Sequence, residues 1–535
     1  MSEVLKNQIV LNTPQLAAGG WPFRSYALAA LPLIGAGLML LLRLQLGGEH
    51  FIEDGALMML ALACYLTAAT FHLINLYAPS SIAQRLGLWL GCAGVFLNLS
   101  SWLVRWVAAH DHELATFVSQ GRAATEMPWA FRYIPFANLY DLSLAFAFGA
   151  GITTMLISGR RNYRFIGALS LPLAALILLL ARFIGNDFIN LPPVLDSYWR
   201  PIHVGIASLS YGVALVCFAA AVIYLLKDGV KTEAMAIWAA VFGLSVFATV
   251  SRFSVFTSGT YSASTFMQGS PRLALPLRAD VPFVGAELVV SGLLLVGVTV
   301  FFGVYLLRRN ETARIWGHRL LKLSLVAQAI AVLTLVAEVK SMTDVVAHID
   351  AGQYERFGHW LAQQQGLTRE QIALIPTPQL VDAVRDYVQR NGSALSLSVN
   401  ANPVELAALV TVFAATFFCI LFSFRTERLR AALPSAEKLD GLMYKTASVA
   451  FAGLAMLLIT GAVWANESWG RYWGWDSKET GAFVAWLTYG GFLHARITRG
   501  LAGRRAAYFA VVAFLLVIFT YLGVSYLLPG LHSYA

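Results

Sequence analysis

Long apolar runs separated by short polar or basic stretches dominate this chain. About thirteen runs can each cross a hydrocarbon core, which takes roughly 20 helical residues. Their predicted boundaries are 25–45, 55–77, 86–107, 138–158, 164–184, 202–226, 234–255, 284–307, 318–338, 404–423, 441–464, 481–497 and 505–528. Backbone groups in lipid must be hydrogen-bonded within the structure, and runs of this length favour helices over barrel strands. The pattern predicts an all-α polytopic membrane protein.

Composition supports a lipid environment and argues against a soluble class. The chain is 58% hydrophobic and 13% charged, whereas soluble domains carry about 25% charged residues. The net charge of +9 comes from short basic clusters between apolar runs, so anionic membrane lipid is the expected partner and nucleic acid is not. All four cysteines lie within apolar runs and no CxxCH occurs, so neither a disulfide framework nor a resident c-type haem is predicted.

The basic clusters predict the orientation of the chain. Positive residues concentrate on the cytoplasmic side of membranes, and placing every cluster there gives one alternating path. The clusters are Arg160–Arg164, Lys227–Lys231, Arg308–Lys322, Arg425–Lys445 and Arg496–Arg505. The N-terminus is then inside and the C-terminus outside. The outer segments are 108–137, 185–201, 465–480, 529–535 and the long segment 339–403, for which a small helical extramembrane domain is predicted.

A tryptophan-rich stretch in one outer segment carries the strongest chemical signal. The sequence WANESWGRYWGWDSKET begins at Trp464 and includes Trp469, Trp473, Trp475 and Asp476. An aromatic belt at the headgroup level would explain one or two aromatic residues per helix end, but not this density with interspersed glycines and charges. A surface that stacks a planar ligand, with Asp476 and its charged neighbours orienting polar edges, explains it better.

Three stretches resemble the CcsA/ResC family, the haem-handling subunit of System II cytochrome c synthetases. The tryptophan-rich stretch continuing through FLHARITRG resembles the family's "WWD" domain, and the similarity extends to GLHSYA at the C-terminus. It reappears upstream in IPFANLYDLS and LDSYWRPIHVGIASLSYG. The resemblance implies transport of haem b across the bacterial inner membrane. It also implies a synthetase-type lyase activity, in which haem is attached at the periplasmic face to the CxxCH of an apocytochrome c.

The resemblance also implies which histidines bind haem iron. His203 and His532 match the two outer histidines that flank the tryptophan-rich segment and ligate the iron axially. His494, near the inner end of its run, matches a buried histidine where haem enters from the cytoplasm. His72 falls at a similar depth, as a second inner ligand or as a packed interfacial histidine. The tryptophans and Asp476 would contact the porphyrin.

The remaining histidines are weaker candidates for a site. His110 and His112 form an HxH in an outer segment, where a metal site and solvated loop histidines are both open, and solvated histidines are favoured.

Extra segments distinguish the chain from simple members of that family. We divide it into residues 1–54 with an additional transmembrane helix, 55–226 as the first half of the family core, 227–440 as an insertion, and 441–535 as the C-terminal core. The insertion holds about four transmembrane helices and the outer domain. A CcsB/ResB-type partner is expected unless the insertion replaces it, and a partner that keeps the thiols reduced is a further candidate. The alternative functions are a haem exporter and a CcmC- or CcmF-type haem chaperone.

The orientation is testable with a reporter fused after Ala535. We expect activity of a reporter that functions only outside the membrane, because the basic clusters predict an outside C-terminus. A reporter that functions only in the cytoplasm, fused at the same position, is the control and should be inactive. The opposite result would separate His532 from the tryptophan-rich segment and overturn the predicted path.

Overall fold

Helices account for most of the residues that the computed structural model describes, which are 23–127, 130–188, 193–251, 254–268, 270–399 and 402–524. The first half contains α1 (Phe23–Leu46), α2 (Asp54–Tyr77), α3 (Ser81–Ser119), α4 (Leu139–Ser158), α5 (Gly167–Ile184), α6 (Trp199–Lys227), α7 (Thr232–Thr249) and the short α8 (Val255–Ser258). Strands β1 (Tyr261–Met267) and β2 (Ser270–Val281) follow.

The second half begins with the long helices α9 (Val284–Arg308) and α10 (Glu311–Ser341). The extramembrane segment then contains α11 (Tyr354–Gln364), α12 (Arg369–Ala373), α13 (Thr377–Asn391) and β3 (Leu395–Leu397). The chain returns through α14 (Pro403–Ser423), α15 (Thr426–Ala432), α16 (Ala436–Trp469), α17 (Ser477–Arg499) and α18 (Arg504–Ile518), and α18 ends in a π-helical turn over Phe519–Gly523.

The predicted all-α polytopic membrane fold is confirmed. Within the described residues, twelve helices are long and apolar enough to cross a membrane. The thirteenth predicted run corresponds to α17, which has 23 residues but carries more polar side chains, including Thr488, His494 and Arg496. Helix α3 has 39 residues and continues to Ser119, so the predicted outer segment 108–137 begins as a helix and not as a loop.

The extramembrane domain contains a sheet that the sequence analysis missed. Strands β1 and β2 form an antiparallel hairpin, and β3 pairs antiparallel with β1, giving the order β2-β1-β3. Leu275, Leu277, Ala279 and Val281 are buried at alternate positions of β2, which is the period of a strand with one covered face. The domain predicted over 339–403 is therefore helical in part and is completed by the hairpin from residues 261–281.

The buried apolar side chains form two main clusters in the bundle. One cluster draws on α2–α6 and α16–α18, and the other on α7, α9, α10 and α14. Helix α14 also packs on α5, which joins the two groups of helices. The second cluster lies wholly within residues 227–440. The division of the chain into four segments stays a prediction.

Glycines allow α6 to pack directly on its neighbours. A Cβ added at Gly212 of α6 would lie 2.4 Å from the backbone nitrogen of Ala150 in α4. A Cβ at Gly453 of α16 would lie 2.1 Å from the hydroxyl of Ser210 in α6. Small residues at such crossings let helix backbones approach closely within a membrane. Helix α6 is consequently held between α4 and α16.

A buried ionic network joins α2, α3, α4 and the segment that follows α5. Arg105 of α3 pairs with Asp141 of α4 and lies 3.6 Å from a carboxylate oxygen of Asp54 in α2. Its guanidinium also donates to the carbonyl oxygens of Asn186 (2.6 Å) and Asp187 (3.0 Å), just beyond α5. A buried charge is tolerated when it is paired and hydrogen-bonded, as here. The network fixes these four helices relative to one another.

The close crossing of α4 and α6 is tested by Gly212→Ala. The new methyl group would meet backbone atoms that cannot rotate away, and overpacking of this kind costs about 1–3 kcal/mol. We expect a lower thermal unfolding midpoint for the detergent-purified chain.

Gly205→Ala in the same helix is the matched control. A Cβ there would lie 3.7 Å from Phe136, an ordinary contact distance, so the midpoint should be unchanged or higher. Equal midpoints for the two variants would contradict the close crossing.

Candidate functional site

An aromatic cleft opens at the N-terminal end of α6 and the C-terminal end of α16. Its empty volume is about 1140 Å³, which includes the open mouth. The walls come from α4, α6, α16, the turn after α16, and the start of α17. The aromatic side chains that line it are Phe136, Tyr211, Trp464, Trp469, Tyr472, Trp473 and Tyr521. We refer to it as the aromatic cleft.

His203 lies in the wall of the aromatic cleft, held by three contacts from α16. Its Nδ1 is 3.0 Å from the carbonyl oxygen of Leu457 and 3.4 Å from the hydroxyl of Thr460. Its ring centroid is 5.6 Å from that of Trp464. Since a carbonyl oxygen can only accept, Nδ1 carries the proton and the neutral ring has its lone pair on Nε2. Histidines that bind metals commonly have this backbone partner, which fixes ring orientation and tautomer.

Gly461 provides the space that the imidazole of His203 occupies. A Cβ added there would lie 2.7 Å from Cε1 of the ring, closer than packed side chains allow. The sequence expectations did not include this residue. The one local signal for it is its spacing from Gly453, a small residue two helical turns earlier on the same helix.

The tryptophans of the predicted stacking surface take different positions in the structure. Trp464 is buried, with an exposed fraction of 4%, and Trp469 and Trp473 also line the cleft. Trp475 is 70% exposed and does not line it. The rings of Trp473 and Trp475 meet at 88°, so these two indoles do not form one flat stacking surface. Among the described residues, the indole nitrogens of Trp464 and Trp473 are buried without a hydrogen-bond partner.

The tryptophan-rich segment is shorter as a loop than predicted. Helix α16 continues to Trp469 and ends at Gly470, which has a left-handed φ of +68° suited to glycine. Asp476 then caps α17 together with Glu479 in a capping box, and a Glu479 oxygen also accepts from the backbone of Gly474 at 2.8 Å. Asp476 is buried and does not line the cleft, so its visible role is to position the loop.

Among the described residues, two cations line the aromatic cleft. Arg200, one turn before His203, donates to the carbonyl oxygen of Arg132 at 2.6 Å. Lys478 lies in the first turn of α17, before the start of the predicted span 481–497. Burial lowers the pKa of Lys478 to about 8, and the nearby Asp476 carboxylate partly opposes this shift. The cleft thus combines apolar walls with positive charge that can bind an anionic group.

The two candidate inner histidines are not brought together. His72 is buried in α2, where a Cβ on Gly87 of α3 would lie 3.1 Å from its ring and one on Gly167 of α5 would lie 2.6 Å away. His494 is exposed on α17, which packs on α16 and α18. His72 is therefore closely packed, and its Nε2 is buried without a hydrogen-bond partner among the described residues. His532 lies outside the described residues.

The HxH pair lies on α3 and not in a loop. The ring of His110 contacts Tyr133 and lies 3.4 Å from Asp111, and the ring of His112 stacks on Phe188. Within the described ranges, no group of three or more histidine, cysteine, aspartate or glutamate residues is placed to hold a metal ion.

Comparison with known proteins decides the family. Residues 136–305 and 403–532 match the family described as cytochrome C assembly protein, which is more than half of the chain. The chain belongs to the cytochrome c assembly protein family. The CcsA resemblance of the sequence is confirmed, and the match includes the helices that carry His203 and the tryptophan-rich segment. Residues 306–402, between the matched ranges, include α10 and most of the extramembrane domain.

Curated relatives named "Cytochrome c biogenesis protein CcsA" agree with the family. The protein of Prochlorococcus marinus (strain MIT 9515) is 44% identical over 147 residues, covering 27% of this chain and 47% of the relative. That of Parasynechococcus marenigrum (strain WH8102) is 50% identical over 102 residues, covering 19% of this chain and 33% of the relative. The chain spans about half the length of these relatives or less. A role in cytochrome c biogenesis is supported by the names and the family together.

The hydrogen bond of His203 is testable by ¹⁵N NMR of histidine-labelled protein. We expect a neutral ring protonated at Nδ1, with the resonance assigned by its loss in His203→Gln. Gly461→Ala should shift this resonance because the new methyl group displaces the ring.

Gly441→Ala is the matched control on the same helix, since a Cβ at Gly441 has nothing within 4 Å. A ring protonated at Nε2, or equal spectra for the two alanine variants, would rule out the geometry described for His203.

Proposed function

We propose that this protein moves haem b across the membrane and attaches it covalently to the CxxCH of an apocytochrome c. The observation that carries the proposal is the placement of His203 in the aromatic cleft, with Nδ1 hydrogen-bonded to Leu457. Apolar aromatic walls suit a porphyrin face, and the lone pair on Nε2 suits iron. Family membership and the CcsA relatives support the biogenesis role.

The outer haem would be bound through its iron and its ring plane. His203 and His532 act as the axial ligands, and Trp464, Trp469 and Trp473 contact the porphyrin. Trp475 and Asp476 support the segment from outside the cleft. The unpartnered indole N–H groups of Trp464 and Trp473 are donors suited to polar atoms of the substrate.

Attachment is an addition that needs positioning more than chemical groups from the protein. Each cysteine S–H adds across one haem vinyl group, forming a C–S bond and a C–H bond while the S–H bond and the vinyl π bond are lost. The bonds formed and lost account for all atoms and electrons, so the addition needs no external oxidant. Holding the vinyl groups against the thiols makes the addition effectively intramolecular, which supplies much of the rate. The activity is that of a holocytochrome c synthetase-type lyase.

Lys478 gives the haem an orientation in the aromatic cleft. The propionates carry negative charge, and Lys478 is a cleft residue able to pair with it. Such pairing turns the vinyl edge away from Lys478. The apocytochrome's thiols must then approach from the side opposite the propionates.

Haem would reach the outer cleft from an inner station at His494. This part of the proposal rests on the family resemblance and on the exposed position of His494 at the inner end of α17. A rise of 1.5 Å per residue separates it from the outer face by roughly 20 Å or more, so one haem cannot contact both stations. His72 would join His494 only if α2 and α17 approached each other, whereas in the structure it packs against Gly87 and Gly167.

The partners follow from this task. The apocytochrome c is the protein substrate, membrane lipid surrounds the bundle, and a thiol-reducing protein keeps the cysteines available. The location is the bacterial inner membrane with the aromatic cleft at the periplasmic face. A CcsB/ResB-type subunit completes the synthetase unless residues 227–440 replace it. The alternatives are a haem exporter and a CcmC- or CcmF-type chaperone without complete attachment activity.

Co-expression with an apocytochrome c, in a strain without its own maturation system, tests the function. We expect haem that stays on the cytochrome after denaturation, with loss of that product in His203→Ala and His532→Ala, because an axial bond is removed. Exogenous imidazole should restore part of the activity by filling the vacated position. Loose periplasmic haem without attachment would instead indicate an exporter, and full activity of both variants would refute the ligand assignment.

The pH dependence of haem affinity tests the role of Lys478. With a pKa of about 8, the ammonium is present below that pH and lost above it, so affinity should fall as pH rises through about 8. An ion pair at a partly exposed site contributes about 1 kcal/mol or less, which is roughly a fivefold change.

Lys478→Arg is the charge-conserving control and should keep its affinity to higher pH, whereas Lys478→Met should bind weakly throughout. Identical pH profiles for the native chain and Lys478→Arg would exclude Lys478 from propionate binding.

A further inference from the structure

A second cleft lies beside the aromatic cleft at the outer face, and polar side chains line much of it. Its empty volume is about 1060 Å³ including the open mouth. Helix α3 contributes one wall, and the segments before α4 and α6 contribute the other. We call it the polar cleft and define it by His112, Glu113, Thr116, Arg132, Asp196 and Arg200.

A thin wall of backbone separates the two clefts. Ile134 and Pro135 face the polar cleft, Phe136 faces the aromatic cleft, and Ala137 lines both. Arg200 also lines both. The carbonyl oxygen of Pro135 accepts from the indole nitrogen of Trp102 at 3.2 Å, and the backbone nitrogen of Ala137 donates to Asp141 at 2.9 Å. A molecule in the polar cleft is therefore separated from a molecule in the aromatic cleft by the thickness of one residue.

The polar cleft is held in shape by the buried ionic network. Arg105 and Asp141 line its floor, and Asp141 connects the guanidinium of Arg105 to the dividing wall at Ala137. On the rim, Arg132 pairs with Asp196 at 2.8 Å, and its carbonyl oxygen accepts from Arg200. These contacts attach the dividing wall, the floor and the rim of the polar cleft to α3, α4 and α6. The packing of these helices therefore determines the shape of the cleft.

The chemistry of the polar cleft suits an extended polypeptide and not a second porphyrin. An unfolded chain presents a row of backbone N–H and C=O groups, and these need polar partners when they leave water. Glu113 and Asp196 can accept hydrogen bonds, while Arg132 and Thr116 can donate them. Side chains of both signs also suit a segment of mixed charge, such as one containing a histidine.

We propose that the polar cleft binds the CxxCH-bearing segment of the apocytochrome while haem occupies the aromatic cleft. The proposal rests on the proposed function, because it assigns the place from which the thiols reach the haem. Only a site that adjoins the aromatic cleft can bring two thiols to the vinyl edge, and the shared residues Ala137 and Arg200 provide that adjacency. The dividing wall keeps the polypeptide backbone away from the porphyrin face.

Disulfide trapping with the substrate's own thiols tests this site. Thr116 is an exposed residue of α3 that lines the polar cleft, so Thr116→Cys places a thiol there with little change in size. The purified full-length protein is mixed with a synthetic peptide containing Cys-Xaa-Xaa-Cys-His, and diamide is added as the oxidant that takes up the two thiol hydrogens. We expect a mixed disulfide, measured by mass spectrometry, in at least tenfold excess over the native chain.

Ala115→Cys and Val118→Cys are the matched controls, since both are exposed positions of α3 that do not line the cleft. Trapping should be low in both, and a peptide with serine in place of cysteine should compete with trapping at Thr116→Cys. Gln120→Cys, a second position that lines the cleft, should also trap the peptide and covers the case in which Thr116→Cys does not fold.

Equal trapping at all four positions, or none at Thr116→Cys and Gln120→Cys, would overturn the proposal. Co-expression of the same variants with an apocytochrome distinguishes failure of the polar-cleft proposal from failure of the proposed function. Normal haem attachment without trapping would reject the polar cleft alone, whereas absence of attachment by the native chain would reject the proposed function.

Discussion

The close packing of α6 on α16 is the constraint on which the candidate site depends. Ser210 fits against Gly453, and two helical turns further along α16 the imidazole of His203 fits against Gly461. Because no side chain stands at either glycine, the helices approach closely enough for His203 to contact the carbonyl oxygen of Leu457. The same crossing places Trp464 beside the histidine. A larger residue at Gly461 would move the ring away from both contacts.

The outer ion network complements this crossing by fixing what surrounds the cleft. Arg105 is almost fully buried, yet it is paired with Asp141 and hydrogen-bonded to two backbone carbonyls, so its charge is compensated. Asp141 in turn holds the backbone at Ala137. Helix packing thus positions the histidine, while the ionic network positions the wall that faces it. Two neighbouring clefts of different chemistry result, one aromatic and one polar.

Sequence patterns predicted the position of a histidine along its helix better than the direction in which it points around the helix. His203 was predicted near the start of its apolar run, and it lies near the start of α6 in the aromatic cleft. His72 and His494 were matched by depth alone, and the structure places one among packed glycines and the other on an exposed surface. Hydrophobicity along a buried helix carries little information about which neighbour each face meets, because nearly every face is apolar.

Turn and strand signals are present in the sequence, but the long apolar runs dominate its pattern. Asp476 and Glu479 have the spacing of a capping box, which explains their role without contact to a ligand. The alternation of Leu275, Leu277 and Ala279 marks the missed strand β2. By contrast, Gly461 and Arg105 depend on contacts between distant segments, which no local pattern contains.

The central claim is that His203 ligates haem iron in the aromatic cleft. A cryo-electron microscopy structure of the full-length protein loaded with haem tests it most directly. We expect iron bonded to Nε2 of His203 and the porphyrin between Trp464 and Trp473. Nδ1 of His203 should still be hydrogen-bonded to the carbonyl oxygen of Leu457. Haem bound elsewhere, with the aromatic cleft empty and His203 making no bond to iron, would contradict it.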